Sequence, residues 1–219
     1  MLMIEKQEIE EIMQKLLKFY EGRKIEWSAS LNPFQILIGT VISQRTRDVM
    51  TEKITKKLFE RFSTPEDFDK ASVEEIEGLI KKAGFYKQKA KRIKEIAEII
   101  LKRYDGKVPE SREELMKLPG VGAKTSAITT VYGFGKNDAI PVDTHVHRIS
   151  NRIGIVKTKT PEETEKELMK KMPRKYWNVI NHLFVIHGQS ICLPMKPRCN
   201  ECPIKEHCRY FMKFEISNK

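Results

Sequence analysis

The chain has 219 residues, 40% of them hydrophobic, so it is long enough to bury a core without disulfide bonds. Its 41 Lys and Arg against 30 Asp and Glu leave a formal charge of +11, which indicates a polyanion binder, nucleic acid first, unless it is only the charged surface of a thermophilic protein. No apolar run approaches the ~20 residues of a membrane span and the N-terminus is too acidic for a signal peptide, so we expect a cytoplasmic, nucleoid-associated protein without membrane contact.

Helical periodicity runs through nearly the whole chain, and no segment shows the alternation of a strand. Apolar residues recur three and four positions apart, as in Ile93, Ile96, Ala97 and Ile100. Helix start signals, a capping residue followed by Pro or by an acidic residue three positions later, stand at Asn32, Thr64, Ser72, Ser111 and Thr160. The sequence therefore predicts an all-α protein of roughly ten short helices.

The segment LPGVGAKT at 118–125 predicts two helices joined by a tight glycine turn, a helix-hairpin-helix. Glycines let the backbone approach a ligand closely, and a helix start attracts anions. The amides of Gly120, Val121 and Gly122 are therefore expected to bind a DNA phosphate without reading base sequence. An ordinary tight turn is the alternative. A nucleotide P-loop is disfavoured because Ala123 precedes the lysine and a helix precedes the turn.

Lys124 lies in the first turn of the second helix, where a lysine opposes the helix dipole. A local rule broken at a ligand-facing turn suggests function. The helix start would favour the neutral amine that Schiff-base chemistry needs, but a phosphate contact is an equally good interpretation. Asp143, in the run Pro-Val-Asp-Thr-His, opens another helix, and by itself an Asp in this position is more often a simple N-cap.

Four cysteines lie within 17 residues at the C-terminal end, in the pattern C-x6-C-x2-C-x5-C: Cys192, Cys199, Cys202 and Cys208. In a reducing compartment such a group predicts a metal site rather than two disulfides. Spacing alone does not separate zinc from an iron-sulfur cluster.

The hairpin, the run Val-Asp-Thr-His at 142–145 and the cysteine spacing together resemble the helix-hairpin-helix (HhH-GPD) DNA glycosylases, specifically their iron-sulfur branch, endonuclease III. The resemblance extends from Asn32 to Cys208. It implies two helical domains flanking a DNA-binding cleft: a helical barrel with the hairpin at 25–137, and a discontinuous cluster domain at 1–24 and 138–219. It also implies that the four cysteines bind a [4Fe-4S] cluster.

The activity implied by the resemblance is base excision repair. The enzyme would be a bifunctional DNA glycosylase and AP lyase that removes oxidised pyrimidines from duplex DNA and nicks the abasic site by β-elimination. Lys124 would form the Schiff base, and Asp143 would stabilise the cationic sugar. The partner would be double-stranded DNA with damaged bases or abasic sites, bound by a monomer. A monofunctional uracil or thymine mismatch glycosylase and a non-catalytic DNA-binding module are the alternatives.

The resemblance also implies side chains that fill the gap left by an extruded base. Phe85 stands where the family inserts a leucine, although a core aromatic at a helix turn is an equally good interpretation. Gln44 and Arg45 both match the family's second filling element, and the choice between them stays open. Further DNA contacts implied by the resemblance are Lys196, Arg198 and His145.

Overall fold

The computed structural model describes residues 4–23, 31–46 and 48–217, and only the backbone of Asp48 and of residues 214–217. The chain divides into two compact units. We call them the cysteine unit, Met1–Ile25 with Asn137–Lys219, and the hairpin unit, Glu26–Lys136. The domain boundary expected between residues 24 and 25 lies outside the described residues. None of the described helices is both long and apolar enough to span a membrane.

The regular structure of the described residues is helical throughout, without a strand, so the all-α prediction is confirmed. Twelve α-helices occur there, two more than the rough count from the sequence. In chain order they are α1 (Lys6–Phe19), α2 (Pro33–Ser43), α3 (Asp48–Arg61), α4 (Pro65–Lys70), α5 (Val73–Ile80), α6 (Tyr86–Tyr104), α7 (Arg112–Leu115), α8 (Ala123–Ile128), α9 (Thr144–Ile153), α10 (Pro161–Lys171), α11 (Ile180–Ser190) and α12 (Arg209–Ser217). A π-helical turn, Thr129–Gly133, continues α8.

The hairpin unit is built around α2. This helix is apolar on all sides, with buried residues at every position from Ile36 to Ile42, as expected of a helix surrounded by others. The amphipathic α6 packs beside it through a buried stripe, and the rings of Phe34, Phe62 and Phe68 meet edge-on or tilted in the same core. The rigid core places the end of α2 and the starts of α6 and α8 in one unit.

Helix caps account for where most of these helices begin. Asn32, Thr64 and Ser72 each form a full reciprocal capping box. The boxes predicted at Ser111 and Thr160 are only half formed. Each hydroxyl accepts the amide three residues on, but the glutamate three residues on does not bond back to the capping amide. The two glutamates accept instead from the Tyr104 hydroxyl and the Lys159 amide.

The cysteine unit packs α1, α9 and α11 around its own core. Its largest fully buried side chains include Ile9, Ile12 and Phe184. Helix α9 is flanked by the N-cap residue Asp143 and by the C-cap residue Gly154, whose φ of 99° is left-handed. A Cβ at Gly154 would stand 2.5 Å from Cγ of Arg209, so glycine is needed there for α12 to approach.

Candidate active site

The glycine turn between α7 and α8 has the predicted form. Gly120 has a left-handed φ of 73°, and a Cβ there would lie 2.9 Å from Cδ of Arg92. The side chain of Val121 is buried, and its amide donates to the carbonyl of Leu118 at 3.2 Å. That amide is therefore engaged within the turn, which differs from the expectation that all three turn amides face a ligand.

Gly122 differs from Gly120 because its backbone conformation is open to any residue. It is exposed, its φ of −103° is ordinary for any residue, and a Cβ there would meet nothing within 4 Å. Neither backbone strain nor packing within the protein calls for glycine at this position, and as the N-cap of α8 it is only moderately preferred over alanine. A close approach from outside the protein is a sufficient physical reason for the missing side chain.

Lys124 is the second residue of α8, and its side chain is exposed. The residues after it, Thr125 and Ser126, are buried and anchor the helix in the core of the hairpin unit. The hydroxyl of Ser126 donates back to the carbonyl of Ala123 at 2.9 Å. The lysine thus projects from a helix start that is fixed from within.

Gln44 and Arg45 leave the end of α2 in different directions, which separates two candidates that the sequence could not. The amide nitrogen of Gln44 donates to the carbonyl of Gly120 at 2.9 Å and to the hydroxyl of Thr125 at 3.3 Å. Gln44 therefore binds the hairpin itself. Arg45 is exposed, and its guanidinium lies 5.3 Å from the ring centre of Phe85. That ring is 59% exposed, so the core alternative for Phe85 is wrong.

Asp143 caps α9 in the cysteine unit. Its Oδ1 accepts from the amides of His145 and Val146, both at 2.8 Å. The predicted capping role is confirmed, and both bonds end on the same oxygen, so the cap does not use Oδ2. The carboxylate is held in one orientation at the start of a well-packed helix.

His145 packs against Arg148 one turn further along α9. Its Nδ1 lies 3.1 Å from a guanidinium nitrogen of Arg148. A Cβ on Gly188 would come within 2.3 Å of that Nδ1 and 2.8 Å of the guanidinium, so any side chain there would displace His145 and Arg148. The structure therefore keeps His145 next to the catalytic candidate Asp143 on the same helix.

The four cysteines are free thiols in the cysteine unit and line one small cavity. In the described part of the chain, no three His, Cys, Asp or Glu side chains are spaced to hold a single metal ion. Burial raises the pKa of the Cys202 thiol to about 12. Burial likewise raises the pKa values of Cys199 and Cys208, and the neighbouring sulfurs add to the effect.

Two arginines four residues apart on α9 hold the cysteine loop, which we define as residues 192–208. Arg148 donates to the carbonyls of Cys192 and Gly188 at 2.9 and 3.2 Å. Arg152 donates to the carbonyl of Leu193 at 2.6 Å and lies 3.4 Å from the sulfur of Cys192. Sequence reasoning missed both arginines, although their spacing on one face of the helix was a usable signal.

Lys196 and Arg198 lie on the cysteine loop, and both are exposed. Lys196 has a left-handed φ of 49°, and the amide of Arg198 donates to the carbonyl of Ile191 at 2.9 Å. The loop therefore presents two cations on a backbone that is tied to the end of α11.

Comparison with known proteins identifies the family. Residues 38–174 match the model of the HhH-GPD superfamily base excision DNA repair proteins. The chain is 50% identical over 214 residues to endonuclease III of Thermotoga maritima, covering 96% of this chain and 98% of that one. The chain belongs to the endonuclease III family.

Solved structures of the endonuclease III family and its neighbours share the fold. A trapped endonuclease III-DNA covalent intermediate superposes with a TM-score of 0.88 at 37% identity, over 97% of this chain and 100% of that one. A thermostable thymine-DNA glycosylase superposes with a TM-score of 0.82 at 29% identity, over 94% of this chain and 98% of that one.

Proposed function

We propose that this protein is a bifunctional DNA glycosylase and AP lyase of base excision repair, which removes oxidised pyrimidines from duplex DNA and nicks the abasic site by β-elimination. The observation that carries the proposal is Lys124, an exposed amine at the start of α8, directly after the glycine turn. The chain around it is half identical to an endonuclease III over nearly its whole length. An amine in this position can form an imine with the sugar of a bound nucleotide.

In the proposed reaction the neutral amine of Lys124 attacks C1′ of the damaged nucleotide. The bond from C1′ to the base breaks, and the base leaves with the electron pair and takes up a proton. The ring bond from C1′ to O4′ then breaks, O4′ takes up a proton, and C1′ stays attached to the lysine as a protonated imine. Loss of a C2′ proton allows the C3′–O bond to break, which cuts the strand, and water finally hydrolyses the imine. Covalent capture divides one difficult step into several easier ones.

Asp143 is the proposed electrostatic partner of this reaction. A fixed carboxylate stabilises the positive charge that develops on the sugar, and it can accept the proton that the lysine ammonium must lose. Because Oδ1 takes both cap bonds, the group is oriented before substrate binds, and its second oxygen is not used by the cap. Capping and catalysis are therefore compatible roles of one side chain.

Backbone contacts to DNA would come from both units. We assign phosphate binding to the turn at Gly120 and Gly122 and to the exposed cations Lys196 and Arg198, with His145 beside the reacting sugar. The formal charge of +11 supports an affinity that is largely electrostatic and falls with salt. We take the hairpin unit and the cysteine unit as the two domains of the enzyme, which would act as a monomer at the nucleoid.

We propose that Cys192, Cys199, Cys202 and Cys208 bind a [4Fe-4S] cluster, because four cysteine thiolates are the usual donor set of such a cluster. Four free thiols surround one cavity, and the guanidinium of Arg152 lies beside a sulfur, which suits the negative charge of a thiolate-bound cluster. When bound, the cluster would crosslink the loop and add no chemistry to bond breaking. The loop would then hold Lys196 and Arg198 in place for DNA.

Borohydride trapping on a thymine-glycol duplex tests the function. Reduction converts an imine into a stable amine, so the wild-type protein should become covalently attached to DNA. Lys124→Ala should give no adduct while still binding the duplex. Lys117→Ala is the matched control, because Lys117 is an exposed lysine just before the same turn, paired with Glu114. An adduct with Lys124→Ala would show that another amine is the nucleophile.

A monofunctional mismatch glycosylase is the second candidate, supported by the likeness to the thymine-DNA glycosylase. Base release from U:G or T:G duplexes, without trapping on any substrate, would favour it. Binding to damaged duplexes with no turnover would instead favour a non-catalytic DNA-binding module.

A further inference from the structure

Lys89 is a charged side chain buried inside the hairpin unit. It lies on α6 and is only 3% exposed. Its ammonium donates to the carbonyl of Ile42 at 2.6 Å, to the carbonyl of Gln44 and to the hydroxyl of Thr46 at 2.9 Å. All three donors of the ammonium are thus used. Burying a charge is costly, so an apolar residue would be the cheaper filler unless the charge has a task.

The contacts of Lys89 organise the loop that follows α2. The last carbonyls of a helix receive no hydrogen bond from an amide of the same helix, and a cation at this end is favourable. Lys89 binds one carbonyl in the last turn of α2 and the carbonyl of the cap residue Gln44. The Thr46 hydroxyl also accepts from the amide of Gly84 at 3.3 Å. The ammonium therefore connects the end of α2 to the turn before α6.

Arg45 and Phe85 lie on the two segments that this network joins, and both have unusual backbones. Their φ angles of 52° and 57° are left-handed, which side chains other than glycine rarely adopt. A Cβ on Gly84 would lie 2.5 Å from the carbonyl oxygen of Arg45, so the two segments touch backbone to backbone. The result is an exposed guanidinium stacked near an exposed ring before any DNA is bound.

We propose that Lys89 is a positioning residue that holds Arg45 and Phe85 as one preformed stacked pair, which enters the DNA stack when the damaged nucleotide leaves it. This inference rests on the proposed function, and it adds which side chains help the damaged nucleotide to leave the DNA stack. Aromatic and apolar side chains wedge between bases, and a guanidinium plane stacks on them. Gln44 is excluded as the filler because its amide is bonded to the hairpin. Burial lowers the pKa of Lys89 to about 8, so its charge is retained at neutral pH.

The test compares two duplexes with the same lesion, one fully paired and one with the lesion in an unpaired bulge, where extrusion is cheap. Lys89→Met keeps the apolar stem and removes the ammonium. Because ordering two side chains at a contact costs roughly tenfold in rate or affinity, kcat/KM on the paired duplex should fall about tenfold. On the bulged duplex it should fall less than about threefold. Equal losses on both duplexes would overturn the proposal.

Two further variants show through which side chain Lys89 acts. Arg45→Ala should reproduce the loss on paired DNA, and Lys89→Met should add little in that background. Fully additive losses would contradict the proposal. Lys91→Met removes an exposed lysine from the same helix and is the matched control, expected to behave as wild type. If Lys89→Met does not fold, Thr46→Val removes one acceptor of the network and should give a smaller loss, again confined to paired DNA.

A binding measurement separates this inference from the proposed function. A duplex with 2-aminopurine opposite a tetrahydrofuran abasic analogue undergoes no chemistry, and its fluorescence rises when the orphaned base is unstacked. Wild-type protein should raise the signal, and Lys89→Met should raise it less at saturating protein. A Lys89→Met signal equal to that of wild type would refute the positioning role, and this outcome does not depend on whether the wild-type enzyme turns over. Absence of turnover by wild type on every lesion would refute the proposed function alone.

Discussion

Replacing the glycines of the hairpin turn distinguishes a role in stabilising the fold from a role in binding DNA. At Gly120 an alanine must adopt a φ of 73°, which costs about 1–2 kcal/mol, and Arg92 must swing away from a Cβ at 2.9 Å. The arginine is flexible, so most of the cost is in the backbone. Gly120→Ala should therefore lower Tm by about 2–8 °C.

Gly122→Ala should leave the stability unchanged and weaken DNA binding. Its φ of −103° suits alanine and the Cβ meets open space. Alanine is a poorer N-cap than glycine, which lowers the free energy of unfolding by roughly 0.5–1 kcal/mol. Alanine also restricts the unfolded chain, which raises the free energy of unfolding by about 0.4–1 kcal/mol. Tm should stay close to wild type. Affinity for an abasic-analogue duplex should fall about tenfold, because one methyl group separating amide from phosphate removes a hydrogen bond worth about 1–1.5 kcal/mol.

Gly135→Ala is the matched control for both variants. Gly135 is exposed with a φ of 66° and open space around its Cβ, so alanine has the same backbone penalty away from the turn. Its Tm should fall like that of Gly120→Ala, with unchanged DNA affinity. Thermal melts and fluorescence anisotropy at fixed salt measure the two quantities. Wild-type affinity in Gly122→Ala, or an equal loss in Gly135→Ala, would refute the assignment of the turn to phosphate binding.

Three further changes test other parts of the structure. Hydrogen bonds from the amides of Ser63 and Thr64 hold the pKa of Asp67 below its usual range. The stability that the Asp67 carboxylate contributes is therefore present above about pH 4 and is lost as the pH falls further. Asp67→Ala should lower the free energy of unfolding, measured with urea, by about 0.5–1 kcal/mol at pH 7 and by less at pH 3. Cys199→Ala should remove the brown colour of a cluster, and unchanged visible absorbance would exclude Cys199 as a ligand. Phe184→Ala, at a fully buried site, should cost about 3–5 kcal/mol, and a loss under 1 kcal/mol would contradict its core position.

Local signals in the sequence predicted the helices and the motifs well, and they failed where a side chain had a choice of partners. The full boxes at Asn32 and Ser72 follow from residues three apart. At Ser111 the same pattern gave only half a box, because Glu114 binds Tyr104 and Lys117 instead. A short-range pattern states which bonds are possible, and competition with other nearby partners decides which are made.

The candidate site divides in the same way. Local patterns indicated Lys124 after the glycine turn, Asp143 as a helix cap and the four clustered cysteines, and the resemblance to the endonuclease III family implied the roles that we propose for them. Nothing in the lysine-rich stretch around Lys89 distinguishes a buried ammonium from the solvated lysines beside it, because its acceptors lie more than 40 residues away.

The sequence by itself determined the helical class, the glycine turn with its following lysine, the cap at Asp143 and the clustering of the thiols. Each depends on the conformational preferences of a few consecutive residues. Only the tertiary structure decided that Gln44 binds the hairpin while Arg45 stacks on Phe85, and that Arg148 and Arg152 hold the cysteine loop. Those outcomes depend on which segments the packed core brings together, and hydrogen bonds between distant residues form only after that packing is set.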